Sequence, residues 1–352
     1  MRNISRLILL TTCLFCITFS FNSFAQKNNP RKYFNNINKA ELAIIDSNYS
    51  KACSYYKKAF HYLNEPYGKD LNNFLVCGIY TDDSVALQMC SPFFIRRNYD
   101  YDTYSNTYKD KKLSNYWMFL IEKSNIKSEV DTNFVGFIND LMSKDVNSRK
   151  VDIIDGEVIP RDKTGYGIFD QDSLNMALLI DYMKINNVEF NEKTVSSNGM
   201  YNIYYSTKNI TGQLLLIHYA QSAHLRQKPL SLNLKEKVLL GDFDPQLYAH
   251  LVDYRGYGLD GLEANFQNDK YGVRTSLLMN KDGTLTLKYP QYNKKELKER
   301  NRNRRGIYLC EYKDFIKKLS YEKKRWDIIY TKKTMFRAEF IFCNPWSLAT
   351  ER

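Results

Sequence analysis

His250 and Asp253 stand three positions apart in GDFDPQLYAHLVDY, so a helix through this stretch carries an imidazole and a carboxylate on one face. His218, in the apolar run LLLIHYAQ, and Arg255 are the groups that would complete such a site. A cluster of His218, His250 and Asp253 would suit a divalent metal or acid–base work, and with Arg255 a hydrolase, provided the fold brings them together. His224 follows His218 by six positions and faces nearly the opposite way on a helix. A lone histidine among leucines is also well explained as a hydrogen-bonded core residue. No H-E-x-x-H or related spacing is present, so no metal site is expected. The chain has no G-x-x-x-x-G-K-[ST], G-x-G-x-x-G or G-x-S-x-G, so no cofactor is expected and no serine nucleophile is signalled. Asp242 and Asp244 flank a helix start, where capping accounts for them.

Two further stretches offer binding chemistry. KERNRNRR, Lys298 to Arg305, is the strongest cationic run, and Arg302, Arg304 and Arg305 could grip an anionic polymer or lipid headgroups; the competing reading is a solvated helix face. DSNYSKACSYYKKAFHYL, Asp46 to Leu63, places Tyr49, Ala52, Tyr56 and Ala59 on one stripe and the lysines off it. Its tyrosines are packing residues on that reading. On the alternative, Tyr55, Tyr56 and Tyr62 line an open groove for a protein or peptide partner.

The elements that must position these groups read as helices. Pairs of short helical stretches run from Tyr33 to about 97, with alanines where two helices would meet in an αα-hairpin. Residues 98–170 read as a polar, tyrosine-rich linker and connecting helices, closing on the turn-rich DIIDGEVIPRDKTGYG. Residues 171–320 read as a helical domain: DQDSLNMALLIDYMKINNVEF, a nearly all-apolar and therefore central TGQLLLIHYAQSA, and a helix begun by Asp244-Pro245. Near 271–290 the period changes to two around NKDG, which predicts one small β-hairpin. Basic helices KKELKERNRNRRGI and EYKDFIKKL follow, then a basic, aromatic tail over 321–352 with a final strand in MFRAEFIFC. The fold class expected is mainly α, with repeat-like helical hairpins packed on a helical domain.

Compartment is read from the start of the chain. Arg2 and Arg6 precede an apolar run, Leu7 to Phe21, of about 15 residues, short of the roughly 20 that a spanning helix needs. Ser23-Phe24-Ala25 supplies small residues before a cleavage point, which predicts a signal peptide over 1–25 and a periplasmic or secreted product with no transmembrane helix after cleavage. Net charge is +12, or +10 without Arg2 and Arg6, which favours an anionic envelope surface or acidic protein as partner; nucleic acid is not expected outside the cytoplasm. Five of the seven cysteines lie beyond Ala25. Buried, inert thiols are the default, and Cys53 with Cys77 is the first bridge to test.

Two resemblances bear on architecture. Tyr49-x-x-Ala52-x-x-x-Tyr56-x-x-Ala59, with Pro66 in the loop after it, resembles the second half of a tetratricopeptide repeat, and Ala86 echoes Ala52 in a second pair. That resemblance implies helical hairpins of a kind that commonly serve recognition. The region from about 134 to 319 is similar to a family of bacterial domains of unknown function, through LMSKDVNSR, LLLIHYAQ, GDFDPQLYAHLVDY, KYGVR and RNRNRRGIYLCEYKDF. The family pattern has an aspartate–arginine pair where Tyr254 here separates Asp253 from Arg255, and a glutamine where this chain has Val273 and Arg274. That similarity implies architecture and no reaction. Together these features predict an exported, non-catalytic binding or scaffold protein of the bacterial envelope. A hydrolase and an anionic-polymer binder are the alternatives.

Overall fold

The computed structural model describes residues 28–97, 116, 120, 122, 124–148, 151–154, 157–160, 166–190, 215–216, 233–253, 269–279, 285–332 and 348–350. Within them the protein is mainly α-helical.

Helix α1 spans Pro30–Ile45. Asn29 caps it by accepting from the Lys32 N–H at 3.0 Å, and Pro30 supplies the preset φ of a first helical position. Tyr33, Ile37, Ala40, Glu41 and Ile44 are buried at helix spacing. Ser47, at φ 57, turns the chain, and Asn48 caps α2, Tyr49–Ala59, by accepting from the Lys51 N–H. Asp46 and Ser47 thus form the turn, and the capping oxygen belongs to Asn48. Ala52, Cys53, Tyr56 and Ala59 are the buried stripe of α2.

A second hairpin follows, α3 (Gly68–Tyr80) and α4 (Ser84–Arg96), the latter capped by Asp83. Every residue of α3 from Asp70 to Ile79 is buried, which makes it the central helix of this part. Rings mark an antiparallel seam between α2 and α3. Tyr49 faces Tyr80 with centroids 5.3 Å apart, and Tyr56 faces Phe74 at 5.8 Å. Between α3 and α4, Gly78 permits close approach: a Cβ there would lie 2.6 Å from the Ala86 Cβ.

The next pair is α5 (Thr132–Ser148) and α6 (Tyr166–Asn186), locked by Phe137 stacked on Tyr182 at 4.2 Å and by buried Leu141, Met142, Met176 and Leu179. Between them β1 (Val151–Ile154) and β2 (Glu157–Pro160) pair antiparallel, so the stretch read as a turn-rich boundary holds a hairpin of its own. Helix α7 (Leu234–Leu240) ends at Gly241, whose φ of 85 suits glycine, and α8 (Pro245–Asp253) starts where Asp244 accepts from the Gln246 and Leu247 N–H groups.

The expected hairpin near 271–290 is β3 (Ser276–Met279) with β4 (Leu285–Lys288). A third strand, β5 (Leu348–Thr350), adds to β3 in parallel. MFRAEFIFC, where a last strand was expected, lies outside the described residues, as do residues 1–27 and most of TGQLLLIHYAQSA. Helix α9 spans Lys294–Arg305 behind a capping box of Asn293 and Glu296. Helix α10, Tyr312–Lys332, runs well past the end expected for EYKDFIKKL and lies against both α1 and β4. Among the described residues no helix is long and apolar enough to cross a membrane.

The Gly78 contact gives a direct test. Gly78→Ala should force α3 and α4 apart and destabilise the protein by about 1–3 kcal/mol, measured by denaturant unfolding; an unchanged midpoint would mean the helices are not pressed together there.

Candidate functional site

Of the four acid–base candidates, the structure describes His250 and Asp253. Asp253, at the end of α8, accepts from the backbone N–H groups of Lys270 (2.8 Å), Tyr271 (3.0 Å) and Val273 (3.0 Å). The carboxylate thereby staples the 269–275 loop to α8. Burial pushes its pKa up and the three backbone donors oppose that rise. His250 is buried, and desolvation together with the Arg304 guanidinium holds its pKa well below the ordinary imidazole value, so the ring is neutral. His218 and Arg255 lie outside the described residues. Among those described, no three His, Cys, Asp or Glu groups are placed to hold a metal ion.

Arg304 departs furthest from its expected role. It is 1% exposed rather than offered to a polymer. Its Nε donates to the Cys310 carbonyl at 2.6 Å and its Nη1 to the Tyr271 carbonyl at 2.8 Å, while the guanidinium lies 4.7 Å from the Phe315 ring centre. Arg300, one turn earlier, is also buried, over the Tyr292 ring. Helix α9 thus turns one arginine face inward and leaves Lys294, Lys298, Arg302 and Arg305 outside, with Arg305 paired to Glu311. The nearby Asp269–Arg274 pair is buried as well, and burial pushes the Asp269 carboxyl up to about 7.

A second polar cluster sits where the two hairpins meet the C-terminal helices. Glu41 of α1 is 3% exposed and pairs with the Lys318 ammonium of α10. Lys69 of α3 approaches the other Glu41 oxygen at 3.4 Å. Asp70 accepts from the Tyr33 hydroxyl at 2.7 Å, and that hydroxyl in turn accepts from the Tyr67 N–H at 3.1 Å. Burial pushes Asp70 up to about 7, with Glu41 and Asp244 adding to the rise and Lys69 and the Tyr33 bond opposing it. The flanking lysines outweigh burial at Glu41 and hold it below the usual range. Phe34, Asn38, Asp244, Arg304 and Tyr308 close the cleft around Glu41, leaving about 40 Å³, room for a solvent molecule or two rather than a substrate. This side of α1 and α3 is therefore occupied by the chain's own α9–α10 region.

The solvent side of the first hairpin is open and basic. Tyr55 is half-buried, with the Lys39 ammonium 5.9 Å and the Lys58 ammonium 5.8 Å from its ring centre. Tyr62 is likewise half-buried, with Lys32 at 5.5 Å. All three lysines are exposed, and from residue 28 to 63 the sole exposed acid is Asp46 in the turn. Tyr56 is not part of this surface: it is fully buried against Phe60 and Phe74, because it falls on the alanine stripe.

The sequence reading missed Glu41, Lys69, Asp70 and Lys318. A signal for Glu41 was present, since a carboxylate stands among Tyr33, Ile37 and Ile44 on the apolar face of α1. The lysines beside Tyr55 and Tyr62 come partly from the other helix, which spacing along one helix does not reveal. Compared with known proteins, the chain has no matching family model, no matching curated protein and no matching solved structure.

The elevated Asp70 carboxyl gives a sign to test. Folded, it keeps its proton up to about pH 7; unfolded, it loses it near the ordinary carboxyl value of 3.8. Across that window the folded chain binds more protons, so this group's contribution to stability is full at the acid end and is lost as pH rises through about 7. Asp269 acts in the same direction. Melting temperature should therefore rise, on the order of 5 °C, between about pH 8 and about pH 5. Asp70→Asn, which keeps an acceptor for Tyr33, should remove about half of that rise; an identical slope in the variant would contradict the assignment.

Proposed function

We propose that the protein is a non-catalytic binding or scaffold protein, exported to the bacterial envelope, whose solvent-facing α1–α2 surface recognises an acidic segment of a protein or peptide. The observation that carries this reading is the placement of Lys32, Lys39 and Lys58 beside the half-buried rings of Tyr55 and Tyr62, on a surface short of acids. An ammonium beside an aromatic face supplies charge, and the ring supplies rigid apolar area at low entropic cost. A carboxylate arriving there meets two kinds of contact at once. The likeness of Tyr49 to Ala59 to a repeat hairpin agrees with a recognition role, and the leader-like start of the chain agrees with export. Catalysis is less favoured because the described members of the acid–base set, His250 and Asp253, are buried and Asp253 is engaged by backbone donors.

A second reading rests on α9. Lys294, Lys298 and Arg302 are exposed at every fourth position. Such like-charged spacing works against an isolated helix, and it forms a cationic ladder suited to an anionic polymer.

One titration separates the two. A fluorescent glutamate-rich peptide should bind the full chain in a salt-sensitive manner, and joint Lys32→Glu, Lys39→Glu and Lys58→Glu substitution should weaken it about tenfold or more, given roughly 0.2–1 kcal/mol per exposed pair and a new repulsion at each site. Joint Lys294→Gln, Lys298→Gln and Arg302→Gln substitution should leave that binding unchanged. Loss on the second set alone would move the function to α9. Insensitivity to both sets would overturn the reading.

A further inference from the structure

The seam between α2 and α3 has three rungs. Tyr49 opposes Tyr80 and Tyr56 opposes Phe74, at 5.3 and 5.8 Å between ring centres. The antiparallel register set by those rings places Cys53 opposite Cys77 on the rung between them. The two thiols are close enough to influence each other's acidity, and Cys53 Sγ lies 3.7 Å from the Thr81 hydroxyl. Both are free thiols here, and both are buried. The third thiol of this region, Cys90 on α4, is turned to the Leu71 carbonyl at 3.6 Å. Cys310 sits instead against the Arg304 guanidinium.

We propose that Cys53 and Cys77 are a modification site, a dithiol that closes to an intramolecular disulfide and staples α2 to α3. The register is what singles them out. Ring pairs on both sides hold the two helices at the separation that lets side chains on one rung meet, and Cys53 and Cys77 share such a rung, so closing the bond needs no change of register. The connection from Phe60 to Tyr67 lies inside the loop so formed, so the bond restricts the unfolded chain.

The chemistry runs by exchange with an external disulfide such as glutathione disulfide, which reaches Cys53 when the α2–α3 hairpin opens locally. Cys53 is the attacking sulfur. Its thiol is made more acidic by the neighbouring Cys77 thiol, with burial and Asp83 opposing and Thr81 and the Lys57 charge assisting, while burial pushes the Cys77 thiol up. The Cys53 thiolate breaks the glutathione S–S bond, forms a mixed disulfide and releases one glutathione thiolate. Cys77 then loses its proton and attacks the Cys53 sulfur, releasing the second. Two protein thiols give up two protons and two electrons, and glutathione disulfide takes the electrons.

The test uses the full chain, reduced, freed of reductant and incubated folded with glutathione disulfide. The product is then unfolded in an alkylating agent and mapped by mass spectrometry. A peptide pair joined through Cys53 and Cys77 should appear, with Cys90 alkylated and the melting temperature raised by several degrees over the reduced form. Cys53→Ser should abolish both the joined pair and the rise, leaving Cys77 alkylated. Recovery of Cys53 and Cys77 as separate alkylated peptides from the wild-type chain would overturn the proposal, as would a Cys77–Cys90 pair. The wild-type map decides the matter even if the variant folds poorly.

Discussion

The fold depends on a buried carboxylate and the two ammonium groups that answer it. Glu41 sits on the apolar stripe of α1 at 3% exposure, and its compensation comes from Lys69 on α3 and Lys318 on α10. Taking these charges out of solvent costs several kcal/mol per ion, which the pairing offsets only when the geometry is kept. The consequence is register more than strength. Helix α10 can lie on α1 in few ways that satisfy Glu41, and Lys318 is 277 positions away along the chain. Asn38 donating to Asp314 and Phe34 stacked on Tyr308 extend the same seam toward the α9–α10 turn.

The second polar network follows the same logic. Arg304 answers the carbonyls of Tyr271 and Cys310, Asp253 answers the N–H groups of the loop that carries Tyr271, and Asp269 answers Arg274. Charged groups are here used to fix irregular backbone in place, since a loop buried without such partners would leave peptide groups unsatisfied. One cleft wall thus joins the hairpins, α8, the 269–275 loop, α9 and α10. It is filled from within, and what the molecule offers to solvent is its basic outside: the lysine–tyrosine surface of α1–α2 and the exposed edge of α9.

Much of the local structure was legible because it is decided locally. Asp244-Pro245 begins a helix, Gly241 ends one, the alanine–tyrosine stripe of α2 is buried, and the change of period near 271 marks a hairpin; each follows from neighbours a few residues apart. The candidate site was legible only in part. Tyr55 and Tyr62 do reach the surface, whereas Tyr56 shares the alanine stripe and packs inside. In KERNRNRR the charge was plain, but helix spacing alone does not say that Arg300 and Arg304 face a loop. Asp253 read as an acid because its true partners, three N–H groups, lie beyond a long intervening stretch and have no sequence signature. Ionic partners hundreds of positions apart, as with Glu41 and Lys318, are set by tertiary packing and leave no periodic trace.

The role given to Glu41 is tested most directly by a double-mutant cycle in thermal or denaturant unfolding, with Glu41→Gln, Lys318→Met and the two combined. Each single change should cost about 3–5 kcal/mol by stranding a buried partner, and the double should cost less than the sum by at least about 1 kcal/mol. Single changes below about 0.5 kcal/mol that simply add would show that the hairpins and α10 are held together by something else.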